Sequence, residues 1–504
     1  MTQIRNICIL GGGTAGWMTA AALSNKYKAL DIKITLIESD SIGTVGVGEA
    51  SLPHIRFFNQ TLGIDEAKFM KATNATFKLG IEFCDWGKRG DSYIHPFGDY
   101  GIPMLDLDFH QLWLRLRNVH NLPRLDEYSY PILAAEQGKF RHPGKDTQQI
   151  GSNFGYAYQF DSSLYAKFLR GYGESRGVRR MEGRVIETEL DQITGSVRSV
   201  ELESGQKISA ELFVDCSGFR GVLIEQALET GYDDWSHWLP CNRAFAVPSA
   251  STEELPPYTR ATAGTAGWRW RIPLQHRVGN GHVYCSEFIS DEEAVDQLLN
   301  GLEGEALAEP KQLFFKTGRR RKFWHKNVVA IGLSAGFLEP LESTSIHLIQ
   351  EGITALIELF PEQQISAVDR DEYNAHMTLN FDRVRDFLVL HYVATQRDDS
   401  EMWTYFRNLE LPGSLQEKLD AWLSRGYVLP YEFGVFLPPS WIAVMLGQNL
   451  IPRGFDRRAE KFSSELLLSR LDQVRQQTQS AVQSTPSQSA YLASFLTHST
   501  PALV

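Results

Sequence analysis

The chain of 504 residues contains no apolar run of about 18 residues, so nothing in it reads as a membrane-crossing helix. Cysteine is scarce: Cys8, Cys84, Cys216, Cys241 and Cys285, with no Cys-x-x-Cys pair. An odd count with that spacing argues against a disulfide framework and against a zinc site, and no metal is expected. Basic residues are not in excess. Lys and Arg number 50 against 61 Asp and Glu, a net charge of −11, and the one basic cluster, Arg319 to Lys322, is short. Nucleic acid is therefore not an expected partner, and neither is a membrane. There is no internal repeat. Arg5 before an apolar run resembles the start of a secretory leader, but Gly11, Gly12 and Gly13 break the run and no cleavage-like site follows. The expected location is cytoplasmic.

What is present is ordinary globular composition, 43% apolar and 22% charged, which rules out disordered, collagenous and coiled-coil proteins. Aromatics reach 11%, with eleven Trp, enough to wall a cleft. At roughly 150 residues per domain the length suits two to four structural units.

Ile4 to Leu10 reads as a buried strand, Ala15 to about Lys26 as a helix, and Ile32 to Ile37 as a second buried strand. This βαβ unit implies a parallel sheet. In NATFKLGIEFC (74–84), Phe77, Leu79, Ile81 and Phe83 alternate with Lys78, Gly80 and Glu82, the pattern of one half-buried strand. Residues 85–160 read as long loops with a few helices. Residues 183–218 read as a β-meander returning to the main sheet, and residues 264–290 as strand. Val328 to Ile331 is a further buried strand. From 346 to about 480 the pattern is mostly helical, and 481–504, rich in Ser, Gln and Thr, reads as a weakly held tail.

Gly11, Gly13 and Gly16 form GxGxxG between strand and helix, and Glu38 closes the second strand. The first glycine permits a tight turn, the second lets a pyrophosphate reach the backbone, and the third lets helix and strand pack closely. The helix N-terminus, with Thr14 and Ala15, supplies N–H donors, and Glu38 would accept from a ribose hydroxyl. The order of these parts points to a bound ADP moiety, without deciding between FAD and NAD. The motif lies near the N-terminus, and the sheet resumes only at Val214 to Gly218 after long insertions. That layout is similar to FAD enzymes of the aromatic hydroxylase type. Those enzymes carry a late Gly-Asp pair at the flavin, where this chain has Gly332, Leu333 and Ser334.

Four segments in order, GGGTAG (11–16), FKLGIEF (77–83), GWRWRIP (267–273) and LEPLESTSI (338–346), resemble the flavin-dependent halogenases, in particular the tryptophan halogenase family, over roughly residues 1–450. The resemblance implies an α/β fold. An FAD-binding, Rossmann-like module with an interleaved β-sheet substrate region is expected over 1–345, and a mostly helical C-terminal subdomain over 346–480. It also implies FAD used as FADH2, a halide ion, O2 as co-substrate, and an aromatic small molecule as acceptor. Only one dinucleotide fold is visible, so reduced flavin is expected from a separate flavin reductase. Family members are often dimers, which implies a possible homodimer.

Taken alone, Lys78 is a solvent-facing lysine on an amphipathic strand. The resemblance makes it the catalytic lysine, which holds hypohalous acid by hydrogen bonding or as a haloamine and presents the halogen to one carbon. Glu342, beside a helix start, is by pattern a dipole-favoured carboxylate. The resemblance makes it the essential glutamate that aligns the electrophile and accepts the ring proton. Thr344 and Ser345 offer backbone N–H groups at a helix start, and the resemblance makes them the halide site. The family has Gly where this chain has Ser345, and bromide, the easier ion to dehydrate and oxidise, is expected to be used better than chloride.

Glu49, Ala50, Val185, Leu333 and Ile346 match positions that touch the flavin, and their plain reading is packing. Trp268 and Trp270 share a strand face with Ile272. In the family that segment shields the flavin and is not catalytic. His95 and Phe97 match walls of the aromatic acceptor site. In LPPSWIAVMLGQNLIP (437–452), Trp441 stands near the place where tryptophan halogenases use tyrosines to hold an amino-acid carboxylate. The missing Tyr pair points to a free or substituted indole, or a larger indole-bearing molecule, rather than free tryptophan. The alternatives are a flavin-dependent aromatic monooxygenase and a non-enzymatic flavoprotein. The absent Gly-Asp pair and Lys78 argue against the first, and halide-dependent turnover would exclude the second.

Overall fold

The computed structural model describes residues 4–41, 48–104, 106–117, 119–251, 254–361 and 364–498. The chain divides into two compact units, each assembled from separated stretches. The first holds Met1–Ala75, Phe160–Asn242 and Phe314–Asp382. The second holds Thr76–Gln159, Arg243–Leu313 and Arg383–Val504. No unit boundary falls at residue 345, where the sequence suggested one.

The first unit is built on a six-stranded sheet. Asn6–Leu10 pairs in parallel with Lys33–Glu38 on one side and Leu212–Asp215 on the other, and Val328–Ala330 and Arg179–Glu182 extend the parallel run. Such strands are covered on both faces, which is why Ile7, Cys8, Ile9, Leu36, Ile37, Val214 and Val329 are buried. The helix Thr14–Lys26 makes the first crossover and packs through Trp17, Met18, Ala21 and Leu23. The expected meander is the three-stranded antiparallel sheet of Val185–Leu190, Val197–Leu202 and Lys207–Ser209, and the chain then enters the main sheet at Leu212.

The second unit is built on a seven-stranded, mostly antiparallel sheet that includes Arg243–Ser249, Tyr258–Ala263, Gly267–Pro273, Val278–Tyr284, Gly80–Cys84 and Ser92–Pro96. Trp268 and Trp270 lie on Gly267–Pro273 as buried side chains. Trp270 crosses its neighbouring strand at Gly281, where a Cβ would meet the indole at 2.0 Å. Helices dominate after residue 383, among them Gly413–Arg425, Pro438–Gly447 and Ser464–Gln483.

Two expectations are corrected. Residues 74–84 are not one strand. Thr76–Lys78 pairs with Ala157–Asp161, whereas Gly80–Cys84 pairs with Ser92–Pro96 and Tyr258–Ala263. The break is at Leu79, whose N–H donates to Pro257 O at 2.7 Å instead of continuing the ladder. Both faces of the segment are therefore covered, and Lys78 is not solvent-facing. The C-terminal segment is not weakly held as far as His498. Gln488–His498 is a helix; its Gln488 N–H donates to Gly138 O and Tyr491 OH meets His142 Nδ1 at 2.7 Å. Tyr491 and Phe495 also pack edge-on against Phe77. Residues 499–504 of that expected tail lie outside the described residues. No helix among the described residues is long and apolar enough to cross a membrane.

Candidate active site

The fingerprint glycines have the contacts their chemistry requires. Gly11 has φ +113, and a Cβ there would lie 2.1 Å from Cys216 O. A Cβ on Gly16 would lie 1.8 Å from Gly11 O, so only glycine lets this helix start against its strand. The helix Thr14–Lys26 begins at Gly13 with no side-chain cap and no acid in its first turn. No side-chain cap therefore takes up its first N–H groups at the positive end of the helix.

Glu38 is where the sequence put it, but it is already engaged. Trp17 Nε1 donates to its Oε2 at 3.2 Å, its Oε1 pairs with Arg180, and Arg170 stands 3.6 Å away. Arg180 also binds Asp40 at 2.7 Å and Glu182 at 2.5 Å. Sequence reasoning missed Arg180; the only signal was an Arg pair on a short strand beside the one ending in Glu38. Glu49 and Ala50 lie on Gly48–Ala50, and desolvation pushes the Glu49 carboxyl up to about 7.

In the same unit, Leu333 lies in a single helical turn after Val328–Ala330, and Ser334 Oγ donates to Asp215 O and to Ile331 O. Glu342 ends a short turn, Ser343 adopts the left-handed conformation at φ 60, and the helix Ser345–Glu358 starts with Thr344 as its cap residue. Glu342 and Thr344 are fully buried, Ile346 is buried in the first turn, and no acid lies in that turn. Val185 opens the small meander, half-buried.

The second unit holds Lys78, His95, Phe97 and Trp441. Lys78 has 0% exposure and its Nζ lies 5.1 Å from the centre of the Phe97 ring. Its strand is pinned by the two residues before Lys78. Thr76 Oγ1 donates to Pro273 O at 2.7 Å, and Phe77 stacks on Phe140 at 3.9 Å. His95 is not a surface loop residue. It is buried on Ser92–Pro96, opposite Ile81. Its ring approaches Phe97, Phe387 and Phe436 at 6.4, 5.6 and 6.0 Å. Phe387 and Phe436 stack at 3.8 Å, and Trp441 meets Phe387 edge-on at 4.9 Å. Trp441 donates its indole N–H to Phe436 O at 3.1 Å, so it braces this aromatic box with its polar edge already used. Behind it, the Lys418 ammonium sits 3.8 Å from the Tyr431 ring centre and 4.4 Å from that of Trp441, and donates to Leu429 O. Burial pulls the Lys418 amine down to about 8. Phe387 and Phe436 were missed by sequence reasoning, because neither stands in a local motif.

The first unit thus carries a dinucleotide cradle and a buried carboxylate beside an uncapped helix start, and the second carries a buried lysine beside an aromatic box. Residues 6–464 match the family model described as tryptophan halogenase. The chain belongs to the tryptophan halogenase family. It is 37% identical over 482 residues to tryptophan 6-halogenase SttH of Streptomyces toxytricini, an alignment covering 88% of this chain and 89% of that protein. Its structure is similar to that of Xcc4156, a flavin-dependent halogenase from Xanthomonas campestris, at TM-score 0.95 and 42% identity, with 98% of each chain covered. It is also similar to BrvH, a flavin-dependent halogenase from Brevundimonas sp. BAL3, at TM-score 0.94 and 42% identity, covering 98% and 99%.

As a flavin-dependent halogenase the enzyme uses reduced FAD from a separate reductase, and the residues present fit that cofactor. The close packing of Gly11 against Cys216 and of Gly16 against Gly11 gives the tight turn and the close helix start that a pyrophosphate site needs. The uncapped start of Thr14–Lys26 offers the donors. Glu38 keeps acceptor capacity for a ribose, since a carboxylate has about four lone-pair sites.

Proposed function

We propose that this halogenase acts on a free or substituted indole, or a larger indole-bearing molecule, by electrophilic aromatic substitution, and uses bromide better than chloride. The observation that carries the reading is Lys78, without solvent exposure and against the face of Phe97. Burying a lysine carries a desolvation cost, and ionisable groups held at such a cost concentrate at functional sites.

Reduced FAD with O2 supplies the oxidising equivalents that turn halide into hypohalous acid. The backbone N–H groups of Thr344 and Ser345 hold the halide, an anion at the N-terminus of a 14-residue helix. The Lys78 amine or ammonium receives the electrophilic halogen and presents it to one ring carbon. Glu342 accepts the proton as the ring regains aromaticity. His95, Phe97, Phe387 and Phe436 hold the acceptor ring by edge and face contacts.

Support for indole over tryptophan comes from the box itself. Its walls are aromatic rings, Trp441 and Lys418 spend their polar groups inside the fold, and no Tyr pair stands in 437–452. Dry surroundings and a site that includes Ser345 favour the halide that sheds water more easily.

The test is one assay with FAD, NADH, a flavin reductase, O2, equimolar bromide and chloride, and either indole or tryptophan. A brominated indole formed faster than any other product supports the reading. Preferential chlorination, or tryptophan turned over faster, overturns the corresponding part, and a hydroxylated product would make the enzyme a monooxygenase.

A further inference from the structure

The helix that begins at Ser345 carries a line of buried polar atoms that the fold leaves unsatisfied. Among the described residues, Thr344 Oγ1, both ring nitrogens of His347 and Gln350 Nε2 have no hydrogen-bond partner. The three residues are 0%, 3% and 5% exposed. Spaced three apart, they wind slowly along one side of the helix, with Glu351 beside His347. A dry, unpartnered polar atom pays its full desolvation energy, so a row of them marks a place that holds water or a ligand.

The row continues outward through ionisable groups. His347 Nδ1 is 3.9 Å from Glu351 Oε1, a gap that a small side-chain rotation closes. Glu351 Oε2 is 3.1 Å from His376 Nε2, and the side chains of these two are 27% and 28% exposed. The series therefore runs from solvent to the buried Thr344 end.

Halogenation needs such a route. One aromatic C–H, one halide anion, one O2, one FADH2 and one proton become the carbon–halogen bond, FAD and two waters. Each turnover therefore consumes a proton at a site closed to bulk water. We propose that His376, Glu351 and His347 form the proton entry path of this enzyme, ending at Thr344. The proposal rests on Thr344 and Ser345 being the halide site. His347 acts as a relay. It takes a proton on one ring nitrogen and releases one from the other, so that one N–H bond forms as another breaks, and His376 is replenished by solvent.

The electrostatics suit each station. Burial holds the His347 imidazole down to about 4, so it is neutral with one donor and one acceptor nitrogen. The Glu351 carboxylate raises His376 above the usual histidine range, and Glu351 is itself held low by its histidine neighbours against the cost of burial. The charged and titratable groups around the path are His54 of the helix His54–Thr61, whose ring lies 4.7 Å from His347, Glu351 and Glu358 of the relay helix, and His376 and Glu372 of the helix Ala367–Val393.

The experiment measures bromination by the wild type and His347→Gln from pH 5.5 to 9, with His376 titrated by NMR in the apo protein. Glutamine can fill the space and hydrogen-bond but cannot relay a proton. The expected result is at least a ten-fold loss in the variant at pH 8.5 that shrinks as pH falls, because hydronium replaces the relay. A variant-to-wild-type ratio that does not change with pH, whether low or near one, overturns the proposal and leaves His347 a structural residue. In the apo protein, Glu351→Gln should lower the His376 titration midpoint. An unmoved midpoint overturns the coupling independently of turnover. Should the wild type form no halogenated product, the halide-site reading fails, which is a different outcome from a wild type that halogenates beside an equally active His347→Gln.

Discussion

The Lys78 Nζ stands 5.1 Å from the centre of the Phe97 ring. A ring face attracts a cation electrostatically, so this contact helps to hold the side chain in place. On the proposed mechanism, Lys78→Ala removes the group that presents the halogen. Halogenation should fall at least about 100-fold, the scale of a positioned acid–base group. FAD affinity should stay within about two-fold, since the cradle lies in the other unit. Product mass spectrometry with a flavin-binding titration checks both, and ordinary halogenation by the variant would remove Lys78 from the mechanism.

Gly16 faces Gly11 O so closely that an added Cβ would stand 1.8 Å from it. Gly16→Ala must push the helix Thr14–Lys26 off its strand, at the roughly 1–3 kcal/mol of an overpacked contact. The helix N-terminus moves with it, so the FAD dissociation constant should rise at least about ten-fold, equivalent to about 1.4 kcal/mol. The melting temperature should fall as well. Fluorescence titration of FAD and a thermal melt measure the two, and unchanged values would mean that this contact does not position the cradle.

The strand, glycines, helix and second strand around Gly11 to Glu38 were legible because their reasons are local: apolar runs, a fixed glycine spacing, and a helix start. Lys78 was legible as a position but not as an environment. Alternation in 74–84 describes one strand equally well, and the break at Leu79 depends on Pro257 O, far along the chain. The aromatic box was half legible. His95 and Phe97 sit in a recognisable segment, whereas Phe387 comes from the middle of a long helix and Phe436 from a turn, and only the fold stacks them. The same holds for the C-terminal helix. A Ser- and Gln-rich composition reads as loose, but Tyr491 and Phe495 find Phe77, a contact that composition cannot announce.

Phe436 stacks on Phe387 and approaches His95, while its own carbonyl accepts the Trp441 N–H. Phe436→Ala keeps that backbone bond and deletes one aromatic wall. An aromatic pair is worth about 0.5–1.5 kcal/mol beyond its buried area. KM for indole should therefore rise several-fold to about ten-fold, with a smaller change in kcat. Steady-state kinetics on the two enzymes decides it. A fall in kcat alone would place Phe436 away from the acceptor.

His282 and His347 are both buried, and desolvation holds both imidazoles down to about 4; His282 donates from Nδ1 to Ala294 O at 2.9 Å. An unfolded histidine titrates near 6.5. Above that pH neither state binds the proton and the shift has no effect on stability. As pH falls from about 6.5 to 4 the unfolded chain takes up protons that the folded one refuses, and stability drops by up to about 3 kcal/mol per histidine. Glu49 works in the opposite sense. Its carboxyl, raised to about 7, is protonated in the fold first, so its contribution is present at low pH and is lost as pH rises from about 4.5 to 7. Two histidines outweigh one glutamate, and the melting temperature should fall on acidification below about pH 6. His282→Asn keeps a donor at the Nδ1 position and cannot be protonated, so it should flatten that slope. Melts of both proteins between pH 7.5 and 4.5 test this, and parallel curves would show that His282 takes up its proton without unfolding.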